Sequence, residues 1–338
     1  MTASILGIDI AKDTFQVTLL HHGQSRRAAF ANEPKGFAQL GRWLDKRGAS
    51  QVHACLEATG RYGDELALWL HQAQHTVSVV NPARIKAYAH SRLTRNKTDQ
   101  VDADVIAHFC QTQQPAAWTP PAPEIRELQA RLHQWDALDQ MRQQEANRLG
   151  AGVPSPVVRQ TIEAHLAFID AQIQQLETQI HDHIQGHPAL SEQFALLRSI
   201  KGLGERTAYR LLAKDLGRYD DARAAVADAG LNPRLVSSGL FKGRTRLSKI
   251  GDANLRKALY FPAIVAMRHN PLVKALCTRL AERGKCNMVL IGAAMRKLLC
   301  LAFGVLKSGR PFDPHYRGAN RKREKAAAEP LASLVGLG

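Results

Sequence analysis

Hydrophobic positions in the first third of the chain follow two alternating periods. Short apolar and β-branched runs predict strands in ILGIDI, FQVTLL, SRRAAFA, QVHACLEA and HTVSVVN. Longer segments with apolar residues three and four apart predict helices in PKGFAQLGRWLDKRG, GDELALWLHQA, NPARIKAYAHS and DQVDADVIAHFCQT. The predicted order begins βββαβαβα. Three meandering strands followed by strand–helix alternation indicate an α/β domain of ribonuclease-H-like order.

The middle of the chain, residues 121–186, has the period of long helices instead. Two apolar series recur every three or four residues, with the helix-breaking stretch GAGVPSP between them. The series are Ile125, Leu128, Leu132, Trp135 and Leu138, then Val158, Ile162, Leu166, Ile169, Ile173, Leu176 and Ile180. This pattern predicts an antiparallel helical hairpin or coiled-coil arm that serves for spacing or self-association.

From about residue 190 the chain is predicted to be helical and basic. The segment FALLRSIKGLGERTAYRLLAKDLG places a GxG turn between two apolar stripes, as in a helix-hairpin-helix. A Gly-, Ser- and Arg-rich loop, AGLNPRLVSSGLFKGRTRLSKIGDANLRKALY, then returns to a helix. The tail after Pro314, which contains RKREK, is expected to be disordered.

Charge is unevenly distributed along the chain. The net charge is +16, and residues 196–338 contain 28 Lys and Arg against 10 Asp and Glu. A basic block of this size favours a polyanionic partner, most simply nucleic acid. Aromatic residues are only 6% of the chain, so we expect salt-sensitive binding to the phosphate backbone rather than base stacking as the main mode.

Other features narrow the class of protein. No uninterrupted apolar stretch of about 18 residues occurs, so no membrane span is expected. The start, MTASILGIDIAKD, lacks a basic region, so no secretory signal is expected there. The five cysteines form no CxxC pair, which favours reduced, mostly buried thiols in a cytoplasmic protein.

Four acidic residues are unusual for their positions. Asp9 lies inside an apolar strand, and Glu57 ends a later strand. Asp99 and Asp102 are three apart and share one face of a predicted helix, where two like charges repel unless a cation lies between them. Asp13 and Asp104, in contrast, are interpreted as solvated charges or helix caps, and Asp104 points away from Asp102.

The order of these acids predicts a metal site. In a ribonuclease-H-like fold the four positions converge, and four carboxylates can hold two Mg²⁺ ions about 3.5–4 Å apart. Magnesium prefers hard oxygen ligands and leaves room for a substrate phosphate. The sequence therefore predicts phosphodiester chemistry that involves Asp9, Glu57, Asp99 and Asp102.

Several motifs resemble those of one known family. GIDIAKDTF, CLEATGRYG, VVNPARIKAYAHS and RNKTDQVDADVIAHFC are similar to segments of the DEDD transposases of the insertion-sequence one-ten family, which includes Piv-type DNA invertases. SIKGLGERTAYRLL, AGLNPRLVSSG, RLSKIGDANLRKALY and MRKLLCLAFGVLKSG extend the resemblance over residues 4–313.

The resemblance implies a division of labour along the chain. It implies a RuvC-like catalytic domain at 1–118, a coiled-coil arm at 119–188 and a mainly α transposase domain at 189–313. Residues 314–338 are the tail that composition predicts to be disordered. It also implies a recombinase guided by a structured bridge RNA that pairs with donor and target DNA. Such proteins assemble as dimers and tetramers through the arm, with acids and serine from different subunits.

The resemblance further implies a serine nucleophile after the NPR segment, here Ser238 followed by Gly239. The neighbouring Ser237 and Ser248 remain alternatives from the residues alone. Nearby bases would neutralise phosphates. The candidate nucleic-acid-binding residues are Arg95, Lys97, Lys201, Arg206, Lys242, Arg244, Arg246 and Lys249.

Two other functions compete with an RNA-guided recombinase. A RuvC-like junction-resolving nuclease would use water and two metal ions without a covalent intermediate, but it leaves the basic C-terminal half without a role. A basic packaging protein without catalysis would not explain acids inside strands.

Overall fold

A computed structural model describes residues 4–58, 60–91, 99–153, 155–234, 237–238, 241–242 and 246–315. The chain forms two compact units, Met1–Pro121 and Ala122–Gly338. The first is a mixed α/β unit and the second is mostly helical. The finer division into four parts stays a prediction, and most of the expected tail lies outside the described residues.

The N-terminal unit contains one five-stranded sheet. Its strands are β1 Ser4–Ile10, β2 Thr14–His21, β3 Gln24–Ala31, β4 Val52–Glu57 and β5 Thr76–Val80. Their order is β3-β2-β1-β4-β5. The first three strands form an antiparallel meander, whereas β4 runs parallel to β1 and β5 parallel to β4. The predicted strands and their sequence order are confirmed.

Helices lie on both faces of this sheet. They are α1 Pro34–Asp45, α2 Asp64–Gln72, α3 Pro82–Ser91 and α4 Asp99–Gln113, with a 3₁₀ turn at Arg61–Gly63. Successive strand residues point to opposite faces. Leu6 and Ile8 therefore join the core beneath α1 and α2, while Ile5 joins the core beneath α3 and α4.

Gly7 lets α4 lie directly on β1. A Cβ atom at this position would come within 2.3 Å of the Ala103 carbonyl oxygen and of the Ala107 nitrogen. Only a residue without a side chain permits this approach of two backbones. Because Asp9 is two residues further along the strand, it faces the same side of the sheet as Gly7.

The C-terminal unit begins with the predicted helical hairpin. Helices α5, Pro123–Gly150, and α6, Pro156–Gln185, run antiparallel. Near the base, His183 Nε2 lies 2.9 Å from the Glu124 carbonyl oxygen, and further out Arg142 donates to Asp170 at 2.5 Å. The predicted apolar seam is buried except at Val158, which is exposed, and Leu166, which is half-buried.

Seven further elements complete the described helical part of this unit. They are α7 Pro188–Arg198, α8 Glu205–Ala213, a 3₁₀ turn at Leu216–Arg218, α9 Ala222–Asp228, α10 Ala253–His269, α11 Pro271–Glu282 and α12 Asn287–Ser308. One continuous hydrophobic core joins them to the base of the hairpin.

Helix α12 is long and apolar enough to cross a membrane by length and composition alone. Half of its most apolar window is buried inside the unit. Core helices of folded proteins meet the same criterion, and the buried side chains of α12, such as Leu298 and Phe303, belong to the hydrophobic core. The expectation of no membrane span stays a prediction.

The GxG segment forms a tight turn between α7 and α8, as its pattern predicted. Gly202 has φ +104° and lies against Ala266, so both its backbone conformation and its surroundings disfavour a side chain. Asn270 donates to the Lys201 carbonyl at 3.1 Å, and Arg198 donates to the Leu203 carbonyl at 2.7 Å. The turn is thus held by α10 and α7.

All five cysteines are free, and most are shielded from solvent. Cys55, Cys110 and Cys277 are buried, and Cys300 is half-buried. Cys286, before α12, is exposed and is the exception to the expected burial.

Candidate functional site

Asp9 and Glu57 lie side by side at the edge of the five-stranded sheet where the neighbouring inner strands β1 and β4 end. The parallel register pairs Gly7 with Cys55 and Ile8 with Leu56, so Asp9 and Glu57 are the next neighbours along β1 and β4. By strand alternation both carboxylates point toward the face that α4 covers. Both side chains are half-buried and each interacts with another part of the protein.

Helix α4 brings Asp102 toward the same edge. Ala103 and Ala107 lie over Gly7, whereas Cys110, further along the helix, donates to the His53 carbonyl near the start of β4. The helix therefore runs antiparallel to β1, and its N-terminal end approaches the end of the strand that carries Asp9. Asp102 is half-buried on the first turn, and Asp99 is the first residue of the helix.

The described side chains form only part of a possible metal site. Among the residues whose placement is described, no group of three or more His, Cys, Asp or Glu side chains is close enough to hold a metal ion. The side chain of Asp99 lies outside the described residues. The donor chemistry still suits a hard cation, because Asp9, Glu57 and Asp102 offer only carboxylate oxygens.

Asn32 organises the loops beside these carboxylates. Its side-chain amide donates to the carbonyls of Tyr62, Ala11 and Lys12 at 2.9, 3.2 and 3.4 Å. One side chain thus joins the loop after β1 to the 3₁₀ turn that follows β4. The ring of Tyr62 in that turn is 53% exposed. This role of Asn32 leaves no signal in the sequence, since an Asn between a strand and a helix is common.

Asp104 has a structural role that separates it from Asp102. It accepts hydrogen bonds from Thr18 Oγ1 at 2.7 Å and from Arg27 Nε at 3.0 Å, and it forms an ion pair with Arg27. These contacts connect α4 to β2 and β3. The expectation that Asp104 points away from Asp102 is consistent with this placement, but its interpretation as a solvated charge or helix cap was wrong, because Thr18 and Arg27 hold a half-buried carboxylate. Asp13 is exposed as expected.

The segment from Pro233 to Leu247, which we call the serine loop because it carries the proposed nucleophile, contains two short antiparallel strand pairs. Strands β6 Pro233–Arg234 and β9 Arg246–Leu247 pair with one another, and inside them β7 Ser237–Ser238 pairs with β8 Phe241–Lys242. Ser238 is opposite Phe241 at the inner end of the hairpin. The side chains of the four residues in β7 and β8 lie outside the described set.

The base of this loop is firmly held. Backbone hydrogen bonds join Ser248 to Asn232 at 2.8 Å and Lys249 to Gly230 at 3.1 Å. Arg256 Nη1 donates to the carbonyls of Ala229 and Gly251, at 3.0 and 3.1 Å. The Ser248 hydroxyl accepts from the Ile250 N–H at 3.3 Å, so this alternative serine is engaged at the base of the loop.

Arg296 provides a second clamp for the serine loop. Its Nη1 donates to Asn232 Oδ1 at 3.2 Å and so joins α12 to the Asn that opens the NPR segment. Neither this residue nor Arg256 was among the predicted functional residues, because composition does not distinguish an arginine that hydrogen-bonds inside the fold from one that binds phosphate.

The candidate nucleic-acid-binding residues have different environments. Lys201, Arg246 and Lys249 are exposed. Arg206 forms an ion pair with Glu177 at 2.5 Å and its guanidinium lies 4.8 Å from the Trp135 ring centre, so it also joins α8 to the hairpin. Arg95, Lys97 and Arg244 lie outside the described residues, and so does the side chain of Lys242.

Comparison with known proteins identifies the chain's relatives. Residues 6–153 match the DEDD transposase model of the IS110 family, and residues 194–278 match the model described as "Transposase IS116/IS110/IS902 family". The chain is 33% identical over 319 residues to the pilin gene-inverting protein of Moraxella bovis, covering 93% of this chain and 98% of that protein. It is also 26% identical over 351 residues to the transposase for insertion sequence element IS1328 of Yersinia enterocolitica, covering 91% and 98%.

The chain belongs to the IS110 family of transposases. This is the insertion-sequence one-ten family that the sequence motifs resemble, so the prediction of the family is confirmed. As a member of the family, the chain is an enzyme that acts on DNA by recombination. The two family models match segments that include the carboxylates and the serine loop, respectively.

Proposed function

We propose that this IS110-family chain cuts and rejoins DNA of an insertion sequence by a Mg²⁺-assisted serine mechanism guided by a bridge RNA. The observation that carries the proposal is the arrangement of Asp9, Glu57 and the start of α4 at one edge of the sheet. The strand order β3-β2-β1-β4-β5, with an antiparallel meander and two parallel neighbours, supports a ribonuclease-H-like fold for this unit.

Asp9, Glu57, Asp99 and Asp102 would hold the magnesium. When bound beside a phosphodiester, the metal supplies charge stabilisation to the attacked phosphate and favours ionised oxygens. The protein's own contribution is to fix the carboxylates. The strand register sets Asp9 beside Glu57, and the contact of α4 with Gly7 sets the helix that carries Asp102.

Ser238 is the proposed nucleophile. Its hydroxyl would lose a proton as its oxygen forms a bond to phosphorus and the bond from phosphorus to one deoxyribose oxygen breaks, and the departing DNA oxygen takes up a proton, so no net proton is gained or lost. The product is a phosphoserine link with a free DNA hydroxyl. Reversal of the same step with another DNA hydroxyl rejoins the strand and releases the serine.

Partners follow from the family and from the surface. The proposed partners are donor and target DNA, a structured bridge RNA, and further copies of this chain that meet through the hairpin in a bacterial cytoplasm. The outer half of the hairpin exposes Met141, Val157 and Phe168, which supports association there. The target sequence would be set by base pairing with the guide rather than by the protein.

The carboxylate site is tested by recombination of a marked donor element with its target in the presence of the element's RNA and Mg²⁺. Asp102→Asn is expected to reduce the rate by at least about 100-fold, because removal of one catalytic electrostatic group has an effect of that order. The matched control is Asp104→Asn on the same helix, which is expected to retain recombination. Equal rates for Asp102→Asn and the unaltered chain would refute the role of Asp102.

The serine step is tested by trapping a covalent protein–DNA adduct in denaturing gels. The unaltered chain, Ser237→Ala and Ser248→Ala are expected to form the adduct, and Ser238→Ala is expected to lose both adduct and strand exchange. Cleavage without any adduct in all four proteins would favour the junction-resolving nuclease, which uses water as its nucleophile.

A further inference from the structure

A second surface of the C-terminal unit has the character of a ligand groove. A groove of about 310 Å³ lies between α10, α12 and strand β9. We call it the α10–α12 groove. Its apolar lining includes Leu247, Tyr260, Phe261, Met288 and Met295.

The lining is apolar although it is open to solvent. Phe261 is 74% exposed and Met288 is 64% exposed, and both are among the most exposed large apolar side chains of the described residues. Contiguous exposed apolar surface of this kind is costly unless a ligand covers it. The rings of Tyr260 and Phe261 lie 5.4 Å apart and nearly perpendicular, so they present a face and an edge.

Helix α10 places a regular row of side chains along this surface. Lys257, Phe261, Val265 and Arg268 follow one another at spacings of one helical turn and are exposed. The opposite side of the helix, with Leu259 and Ala263, is buried in the core. The exposed row is therefore not needed for folding of the helix against its unit.

Charge identifies the occupant. Lys249, Arg256 and Lys257 also line the groove, and no carboxylate is among its described lining residues. An apolar peptide or a lipid tail would gain little from these cations. A single strand of nucleic acid offers both features at once, because its bases have apolar faces and its phosphates are negative.

We propose that the α10–α12 groove binds an unpaired nucleobase, which stacks on Phe261 beside Tyr260 while the adjoining phosphates lie against Lys257 and Lys249. The inference rests on the proposed function, since it supplies a subsite for the strand on which the serine loop would act. Strand β9, which closes that loop, contributes Leu247 to the groove. A base in an intact duplex is already stacked and would not enter.

The test uses short DNA and RNA oligonucleotides that carry 2-aminopurine, whose fluorescence falls when the base stacks. With the full chain and without Mg²⁺, both the affinity and the quenching are measured. Phe261→Ala is expected to weaken single-strand binding about 5- to 100-fold, as expected for loss of one stacked base, and to abolish quenching. Phe261→Trp is expected to retain both, whereas Phe261→Leu is expected to lose quenching.

Phe168→Ala is the matched control, because Phe168 on the hairpin is also an exposed phenylalanine, at 61%. This variant should leave affinity and quenching unchanged. The affinity for blunt duplex should be the same for Phe261→Ala, Phe168→Ala and the unaltered chain. The DNA and RNA arms show which strand the groove prefers. Equal affinity of Phe261→Ala and the unaltered chain for both single strands would overturn the proposal.

A contact between copies of the chain is the main rival and has its own readout. If Phe261→Ala lowers the mass measured by light scattering but leaves oligonucleotide binding unchanged, the groove is an interface and the proposal is wrong. Failure of the proposed function has a different readout: the unaltered chain would not recombine DNA but would still quench 2-aminopurine. The Asp102→Asn variant should also retain quenching.

Discussion

At the scale of single residues, the same residue type has different roles according to its neighbours. Asp102 and Asp104 are two positions apart on α4, yet only Asp104 is held in place by hydrogen bonds that Thr18 and Arg27 donate to its carboxylate. Arg256 and Arg296 hold the base of the serine loop, whereas Arg246 is exposed on it. The role of a charged residue can therefore be assigned only when its neighbours in the fold are known.

Asp252 shows how such a partner changes titration. It caps α10 by accepting from the Leu255 N–H at 3.0 Å, and it forms an ion pair with Lys214 at 2.9 Å. Burial alone would raise the pKa of this carboxyl, but the Lys214 ammonium and the helix N–H groups outweigh burial and hold the pKa below its ordinary 3.8.

We therefore predict pH-dependent stabilisation by Asp252. Asp252→Asn keeps a good helix cap but loses the charge, so it should lower the free energy of unfolding by about 1–2 kcal/mol at pH 7. Because the pKa of this carboxyl is lower in the folded chain than in the unfolded chain, its charge stabilises the fold at pH values above the ordinary carboxyl pKa. This stabilisation is lost as the pH falls through the pKa of the folded state. Urea unfolding at pH 7 and pH 3 measures the difference, which should shrink at the lower pH.

Asp221→Asn is the control for that experiment, because Asp221 also caps a helix, accepting from the Ala224 N–H at 2.8 Å. Its effect should be smaller at pH 7. A constant difference between Asp252→Asn and the unaltered chain at both pH values would contradict the ion-pair explanation.

Cysteine reactivity gives a second prediction at this scale. Burial raises the pKa of the Cys277 and Cys300 thiols, and the hydrogen bond with Cys110, together with burial, raises the pKa of Cys55. The same hydrogen bond lowers the pKa of Cys110 to about 6, but Cys110 is fully buried and a reagent cannot reach its sulfur, whereas Cys286 is exposed. Only a thiolate attacks a disulfide reagent readily. Cys286 should therefore react first with an aromatic disulfide at pH 7.5, and Cys286→Ser should remove the fast phase. Rapid reaction of several thiols in the folded chain would contradict this assignment.

At the scale of elements, close backbone contacts decide where α4 lies. Gly7 leaves no space for a Cβ between β1 and the helix. The helix carries Asp99 and Asp102, so a small displacement at Gly7 would move the candidate ligands relative to Asp9 and Glu57. The close packing of α4 on Gly7 therefore sets where the carboxylates of the candidate site lie relative to one another.

Gly7→Ala should consequently damage both stability and activity. We expect a loss of about 2–4 kcal/mol in the free energy of unfolding, as for an overpacked core position, and a large fall in recombination. Gly304→Ala on α12 is the control, because a Cβ there meets no atom within 4 Å. It should be neutral or slightly stabilising in thermal unfolding followed by circular dichroism. Unimpaired recombination by Gly7→Ala would show that the contact does not position the site.

At the scale of the whole molecule, charge governs affinity. The C-terminal part of the chain, residues 196–338, contains 28 Lys and Arg against 10 Asp and Glu. Binding that releases counterions from phosphates weakens steeply with salt. We predict that the affinity for nucleic acid falls by at least about 100-fold between 50 and 200 mM salt, measured by fluorescence anisotropy. A nearly constant affinity over this range would show that the basic region does not contact phosphates.

The helical hairpin illustrates how far a periodic pattern leads. Its apolar seam was evident from the sequence, and the five seam residues of α5, Ile125, Leu128, Leu132, Trp135 and Leu138, are buried as predicted. Yet Arg206 and Arg210 on α8 also contact the hairpin, through Glu177 and Asp136. Long-range ion pairs leave no periodic signal, so Arg206 was assigned to nucleic-acid binding without its structural partner.

Four features can be read from the amino-acid sequence alone: the order of strands and helices, the buried seam of the hairpin, the basic character of the C-terminal part and the family. These features depend on residues near one another in the chain, on their sum, or on motifs. The three-dimensional fold was needed to show that Asp9 lies beside Glu57, that Asp104 is held by Arg27, and that Phe261 lies exposed in a groove lined by cations. Strand register and helix packing bring distant residues together, and no local pattern specifies those distances.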